Sequence, residues 1–210
     1  QMCIRDSNKI VPLDDLELPG WEVIFKDYTP VMKFLGKGPA INLFASKGCP
    51  YSCFHYCVYP MQQGRKLRLR SPKKVVEEMV YFYDKLKVRN YIFRDPVFSL
   101  DRKHTILLCD EIIKSKKKFN IAVETHLKNI DNELADIFLK SGIKLAYVGI
   151  ESADEEVRES AKRWSDNNDA QLKKINYLEK IGITIKAMYI IGFPEDTEEK
   201  LSLIHISEPT

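Results

Sequence analysis

Two segments decide the fold class of this 210-residue chain, GIKLAYVGI at residues 142–150 and GITIKAMYII at residues 182–191. Each opens on a glycine that follows a helical pattern and continues as a short run rich in β-branched and aromatic residues. A helix is predicted between them over residues 171–180. A strand, a helix and a second apolar strand in this order are typical of parallel strands joined by a helical crossover.

The same unit recurs toward the amino terminus. Strands are predicted at residues 41–46, 90–94 and 120–125, and helices at residues 72–86, 102–116 and 131–141. The chain is therefore predicted to be an α/β protein with a parallel sheet covered by helices, either curled into a barrel or open and doubly wound. In both geometries the loops that follow the strands share one face, which is where functional groups gather.

Composition gives no support to a nucleic-acid-binding or a membrane-spanning protein. With 44% hydrophobic residues, 33 basic and 30 acidic side chains and a net charge of +3, the chain suits one globular domain and lacks the electrostatic footprint of a dedicated nucleic-acid binder. No apolar run approaches the roughly 20 residues that a membrane span needs, and the start does not resemble a signal peptide. We expect a cytoplasmic protein.

Three cysteines fall within nine residues, in the loop KGCPYSCFHYC at residues 47–57. Thiolates on one short loop can bind three corners of a cubic four-iron cluster and leave the fourth iron open. A zinc site completed by His55 and chance clustering are the alternatives. Cys109 lies in a helical apolar pattern and is interpreted as a buried thiol.

The loop resembles the cluster loop of the radical S-adenosylmethionine (SAM) superfamily. The usual spacing there is CxxxCxxC, whereas this chain has CxxxCxxxC with an aromatic residue, Tyr56, before the last cysteine. By resemblance, the metal ligands are Cys49, Cys53 and Cys57.

The resemblance extends to polar residues just past the later strands. Segments GIES (149–152) and IIGFPE (190–195) resemble stretches that meet the SAM ribose and carboxylate and the adenine. The resemblance implies these cofactor-binding residues: Tyr56, Asp95, Glu124, His126, Glu151, Ser152, Ile190, Gly192 and Glu195.

The resemblance also implies a fold and an activity. It implies a partial (β/α)6 TIM-like barrel, of which this chain holds about five βα units. It also implies a 4Fe–4S cluster that reductively cleaves SAM to a 5'-deoxyadenosyl radical, with electrons from a flavodoxin- or ferredoxin-type donor. The expected substrate is a small or lipid-like molecule. A methylthiotransferase-like enzyme without cobalamin, or a non-catalytic iron–sulfur or zinc module, is the alternative.

The domain organisation is predicted from composition and resemblance. Residues 1–7 and 201–210 resemble translated adaptor sequence and are interpreted as foreign ends. Residues 8–40, rich in proline and glycine, are interpreted as a linker. The linker resembles the stretch that follows a cobalamin-binding domain in one subgroup of the superfamily, so cobalamin-dependent methyl transfer is expected. Residues 41–200 form the predicted radical SAM core.

Overall fold

The structure, a computed structural model, describes residues 11–27, 39–53, 57–163 and 165–204. The strands in these residues are β1 (Ala40–Leu43), β2 (Ser46–Lys47), β3 (Arg68–Leu69), β4 (Asn90–Phe93), β5 (Asn120–Thr125), β6 (Ile143–Glu151) and β7 (Thr184–Tyr189). The helices are α1 (Trp21–Asp27), α2 (Tyr59–Gln63), α3 (Pro72–Leu86), α4 (Arg102–Lys114), α5 (Asn132–Ser141), α6 (Glu155–Ser160), α7 (Asn168–Ile181) and α8 (Glu198–Ser202). Short 3-10 turns lie at Leu13–Asp15 and Leu127–Asn129.

The main sheet has five parallel strands in the order β1-β4-β5-β6-β7. Each strand pairs with the one that precedes it in this sheet, so the crossovers all advance in one direction, as they do in a barrel. Within the described residues β1 and β7 do not pair with each other, and the sheet stays open. The predicted α/β fold with a parallel sheet is confirmed.

The core lies between the sheet and helices α3, α4 and α5. Each of these helices buries one apolar stripe, such as Val75, Met79 and Phe82 on α3. Cys109 on α4 is fully buried in the same layer, which confirms its interpretation as a core thiol. Burial of this face removes apolar surface from water and fixes the helices behind the strands.

The predicted strand over residues 41–46 is divided. β1 ends at Leu43, and β2 leaves the main sheet to pair with β3 in an antiparallel ribbon. The cause is the carboxylate of Asp95, which accepts hydrogen bonds from the Ala45 backbone N–H and the Ser46 hydroxyl and so redirects the chain. Sequence periodicity missed this ribbon because a two-residue strand carries no periodic signal.

Two further segments differ from the sequence-based expectation. Helix α6 follows β6 directly and is capped by the Asp154 carboxylate, which accepts from the Val157 N–H at 2.9 Å. Strand β7 ends at Tyr189, short of the predicted residue 191, and is mostly exposed because it lies at an edge of the sheet. Helix α8 includes residue 201, and the interpretation of residues 201–210 as a foreign end stays a prediction. No helix in the described residues is long and apolar enough to cross a membrane.

Candidate cofactor site at the carboxyl ends of the strands

The cysteine loop follows β2 and rests on the segment that leads into β3. The Cys49 N–H donates to the Gly64 carbonyl at 3.1 Å, and the Gly48 N–H donates to Gln63 Oε1 at 3.1 Å. Gly48 has φ of +95°, and a Cβ there would lie 2.2 Å from the Lys66 carbonyl oxygen. Only glycine fits this position, because the backbone conformation and the close approach both exclude a side chain.

The three thiols lie within electrostatic reach of one another. Burial raises the pKa of both Cys49 and Cys57, and the Cys53 thiol raises both further, while the Arg163 guanidinium opposes the shift. All three cysteines are free thiols. Both His55 and Tyr56 lie outside the described residues, so the predictions for them stay predictions.

Soft thiolates are the donors that the cysteine loop offers to a metal group. Among the described residues no three His, Cys, Asp or Glu side chains converge on a point where one metal ion would bind. In a four-iron cluster each thiolate binds a different iron, so its cysteines need not converge in this way. Three soft thiolate donors on one loop suit iron–sulfur chemistry, and a cubic cluster held by them keeps one iron for another ligand.

Asp95, predicted to contact SAM, is completely buried. Its oxygens accept from the Ala45 N–H at 3.1 and 3.2 Å and from the Ser46 hydroxyl at 2.5 Å. Burial raises the pKa of Asp95 to about 6, although these hydrogen bonds oppose the shift. The side chain therefore holds the start of the cysteine loop in place.

Glu124, at the end of β5, lies between a cation and a phenol. It forms an ion pair with Arg94 and accepts a hydrogen bond from the Tyr59 hydroxyl at 2.9 Å. Burial and the adjacent Glu124 carboxylate raise the pKa of Tyr59 to about 12, so the phenol stays protonated and remains a donor. Because Tyr59 follows Cys57 closely, this contact ties the end of the cysteine loop to the sheet.

Glu151 ends β6 in a left-handed conformation, with φ of +71°. Its carboxylate lies 3.6 Å from Arg163 Nε, and Arg163 Nη2 also donates to the Gly149 carbonyl at 2.7 Å. A Cβ at Gly149 would meet Glu151 Oε1 at 2.4 Å, so the missing side chain makes room for this ion pair. Non-glycine residues in the left-handed region are strained, and such strain concentrates at functional sites.

His126 and Ser152 are both buried at strand ends. His126 Nδ1 accepts from the Lys128 N–H at 3.2 Å, and its ring makes an edge contact with Tyr51 of the cysteine loop. Ser152 bonds to residues that follow it closely in the chain. Its hydroxyl accepts a hydrogen bond from the Asp154 N–H, and its carbonyl accepts one from Arg158 at 2.6 Å.

The segment after β7 forms its own turn. The Asp196 carboxylate accepts from the N–H groups of Gly192 and Phe193 at 2.7 and 2.9 Å, and Gly192 has φ of +113°. Gly192 and Glu195 are exposed, and Ile190 packs against Phe193 and α6.

Two cavities border the cysteine loop and share Cys53 and Arg163 in their linings. The first, about 240 Å³, is lined by Cys53, Cys57, Val58, Tyr59, Pro96, Val97, Glu124, Thr125, Tyr147, Gly149, Glu151, Arg163 and Met188. The second, about 310 Å³, is lined by Tyr51, Ser52, Cys53, His126, Lys128, Asn129, Lys162 and Arg163. Of the predicted site residues in the described part of the chain, Cys53, Cys57, Glu124, Glu151 and His126 line one of these two cavities, whereas Cys49, Asp95, Ser152, Ile190, Gly192 and Glu195 line neither.

Arg163 was missed by the sequence analysis. It lies in the connection between α6 and α7, where no strand end and no short motif marks it. In the folded chain its guanidinium contacts the Gly149 carbonyl and the Glu151 carboxylate at the end of β6.

An open parallel sheet with a three-cysteine loop at the carboxyl ends of its strands defines the class, an α/β protein with a partial-barrel sheet and a candidate iron–sulfur site. A family model described as the radical SAM superfamily matches residues 43–205, and the chain belongs to this family. Members of the family are enzymes that use a 4Fe–4S cluster and SAM.

Curated relatives carry enzyme names. An uncharacterized methyltransferase from Pyrococcus horikoshii is 23% identical over 190 residues, which cover 90% of this chain and 40% of that protein. The anaerobic magnesium-protoporphyrin IX monomethyl ester cyclase of Rubrivivax gelatinosus is 28% identical over 195 residues, covering 90% of this chain and 34% of that protein. The chain thus spans about a third to two fifths of the length of these relatives.

Solved structures share the fold. The radical SAM methyltransferase TsrM from Kitasatospora setae, solved with cobalamin and a 4Fe–4S cluster bound, has a TM-score of 0.72 at 20% identity, over 80% of this chain and 32% of TsrM. The cobalamin-dependent SAM radical enzyme OxsB has a TM-score of 0.69 at 14% identity, over 93% of this chain and 29% of OxsB. These likenesses confirm the partial-barrel fold of the radical SAM type.

Proposed function

We propose that Cys49, Cys53 and Cys57 each bind one iron of a 4Fe–4S cluster, and that the natural-length protein is a cobalamin-dependent radical SAM methyltransferase. The observation that carries the proposal is the set of three free thiols on one loop, next to a cavity at the strand ends. When bound, the cluster supplies the electron that cleaves SAM.

Several residues of this chain would position the cysteine loop for that reaction. Asp95 and the segment 63–66 fix the start of the loop, where Cys49 lies. Tyr59 and Glu124 fix the far end, after Cys57. Prearranged ligands lower the cost of ordering the site when the cluster and SAM bind.

The polar groups of the cavity suit the amino-acid end of SAM. Glu151 and Arg163 provide one carboxylate and one guanidinium beside Cys53, matched to an ammonium and a carboxylate group. The pair is largely buried, with side-chain exposures of 12% and 9%, so its charges act in a medium less polar than water.

Support for methyl transfer and cobalamin comes from the relatives. The P. horikoshii relative and TsrM are both named methyltransferases, and TsrM binds cobalamin. Because this chain spans under half of each relative, the cobalamin-binding part is proposed to lie outside residues 41–200.

Anaerobic reconstitution of the natural-length protein tests the cluster. We expect about four irons per chain and cleavage of SAM with a chemical reductant. Replacing any of the three loop cysteines by alanine should abolish the absorbance of the cluster and the cleavage. Cys109→Ala is the matched control, since this thiol is buried in α4, and it should keep both.

Two results would contradict the proposal in different ways. Full iron loading with no SAM cleavage would favour a non-catalytic iron–sulfur module. SAM cleavage by a protein that binds no added cobalamin, measured by the corrinoid absorbance after gel filtration, would favour an enzyme without cobalamin.

A further inference from the structure

The face of the main sheet that lies away from α3, α4 and α5 is the lumen face of the partial barrel. Side chains alternate between the two faces of a strand, and Ala40, Ile92, Ala122 and Leu145 form a small apolar cluster on the lumen face. Branched apolar side chains usually fill the interior of a closed barrel. Here the next residues on this face, toward the carboxyl ends of the strands, are polar, and polar groups in a concave site are typical of ligand binding.

Four of these polar residues form a row across neighbouring strands. Arg94, just past β4, forms an ion pair with Glu124 on β5. Glu124 is opposite Tyr147 on β6, and Tyr147 is opposite Lys186 on β7. The Lys186 ammonium lies 5.6 Å from the centroid of the Tyr147 ring. The row therefore runs from a cation through a carboxylate and a phenol to a second cation.

The charges of this row do not cancel. The Glu124 carboxylate is already paired with the Arg94 guanidinium. Lys186 is exposed, and no ion pair among the described residues includes it. Within the same residues the Tyr147 hydroxyl makes no hydrogen bond. One ammonium and one phenol are therefore available on the lumen face to an acceptor that the chain itself does not supply there.

Tyr147 connects this row to the cavity of about 240 Å³ beside the cysteine loop. It lines that cavity together with Gly149 and Met188, which are opposite each other in the register of β6 and β7. Met188 follows Lys186 by two residues on the same face of β7, a distance of about 7 Å along a strand. The Glu151 carboxylate lies over Gly149. The row is therefore deeper in the lumen than the groups matched to the amino-acid end of SAM.

We propose that Lys186 and Tyr147 bind an anionic oxygen group of the substrate, a carboxylate or a phosphate. This inference rests on the proposed function, because it names a substrate class for the same cavity. The ammonium pairs with the anion, and the phenol donates one hydrogen bond to it. Lys186 is then a specificity-determining residue, which favours an anionic substrate over a neutral one of the same shape.

Binding of small probes tests this subsite without turnover. Benzoate, phenyl phosphate and the neutral benzyl alcohol are each titrated against the reconstituted natural-length protein with saturating SAM, by ligand-observed NMR. Lys186→Met should weaken the binding of an anionic probe about tenfold or more, because a hydrogen bond between charged groups is lost. Benzyl alcohol should bind both proteins alike. A loss confined to benzoate identifies the group as a carboxylate, and one confined to phenyl phosphate identifies it as a phosphate.

Two further variants serve as controls. Lys186→Arg keeps the charge and should retain most of the affinity for the anionic probe. Lys144→Met, the same change at an exposed lysine near the amino end of β6, should bind all three probes like the unaltered protein.

Three results would overturn the proposal. These are equal affinity of Lys186→Met and the unaltered protein for both anionic probes, no binding of either anionic probe to the unaltered protein, and displacement of SAM by the probes, which would place the anion at Glu151 and Arg163. Absence of SAM cleavage with dithionite would refute the proposed function instead, while a loss of anion affinity in Lys186→Met would still establish the subsite.

Discussion

At the scale of single residues, Gly48 controls the path of the cysteine loop. A methyl group there would meet the Lys66 carbonyl oxygen at 2.2 Å, and the backbone φ of +95° is itself unfavourable for alanine. We expect Gly48→Ala to lower the iron content after reconstitution, measured as iron per chain. Gly182→Ala is the matched control, because φ is +104° but the nearest atom lies 3.9 Å away. It should cost about 1 kcal/mol in unfolding free energy and leave the iron content unchanged.

Asp95 gives the apoprotein a defined pH dependence. Its pKa is raised from 3.8 to about 6 by burial, so the folded protein holds a proton that the unfolded chain has released between these values. The contribution of Asp95 to the free energy of unfolding should therefore fall as the pH rises from about 4 to about 6.

Urea unfolding across this pH range, compared with Asp95→Asn, checks the effect. The difference in unfolding free energy between the two proteins should change in that window and become flat above about pH 7. A difference that is constant from pH 4 to pH 7 would show that the carboxyl group titrates normally.

At the scale of elements, the pairing of β6 with β7 is irregular at the carboxyl end of β6. The register with β7 shifts between Gly149 and Glu151, and the Ile190 N–H donates to the Glu151 carbonyl at 2.9 Å. This irregularity places the Glu151 carboxylate over Gly149, facing Arg163. Bulges next to functional sites re-aim side chains in this way.

Gly149→Ala should displace the Glu151–Arg163 pair while preserving the fold. The new Cβ would press on the ends of two flexible side chains, which can move at little cost in stability. We expect weaker SAM binding by isothermal titration to the reconstituted protein and a nearly unchanged melting temperature. Gly20→Ala, at a position with nothing within 4 Å, should alter neither measurement.

At the scale of the whole molecule, the sheet ends on an exposed edge. Strand β7 has no second partner in the described residues, and Ile191 beyond it is 74% exposed. Unpaired strand edges with apolar neighbours favour association between chains. The 210-residue chain should therefore self-associate with rising concentration in sedimentation velocity.

Ile191→Lys should reduce this self-association because it places a charge beside the edge. Leu107→Lys, at an exposed position on α4, is the control and should leave the self-association unchanged. If both variants associate as the unaltered chain does, the edge of β7 is not the surface responsible.

The sequence by itself determined the repeating βα order, the three-cysteine loop and the family. These depend on short-range information, namely apolar periodicity, helix caps and ligand spacing, which survives without the fold. It also placed Glu124 and Glu151 at strand ends, and in the structure both line the cavity there.

The tertiary structure alone decided which polar residues face the site. Asp95 follows β4 as predicted, yet its carboxylate is directed into the protein to hold Ala45 and Ser46. Arg163 is remote from any strand end along the chain but returns to Gly149. The physical reason is that a parallel sheet fixes where a strand ends, whereas the direction of each side chain depends on contacts between segments far apart in sequence.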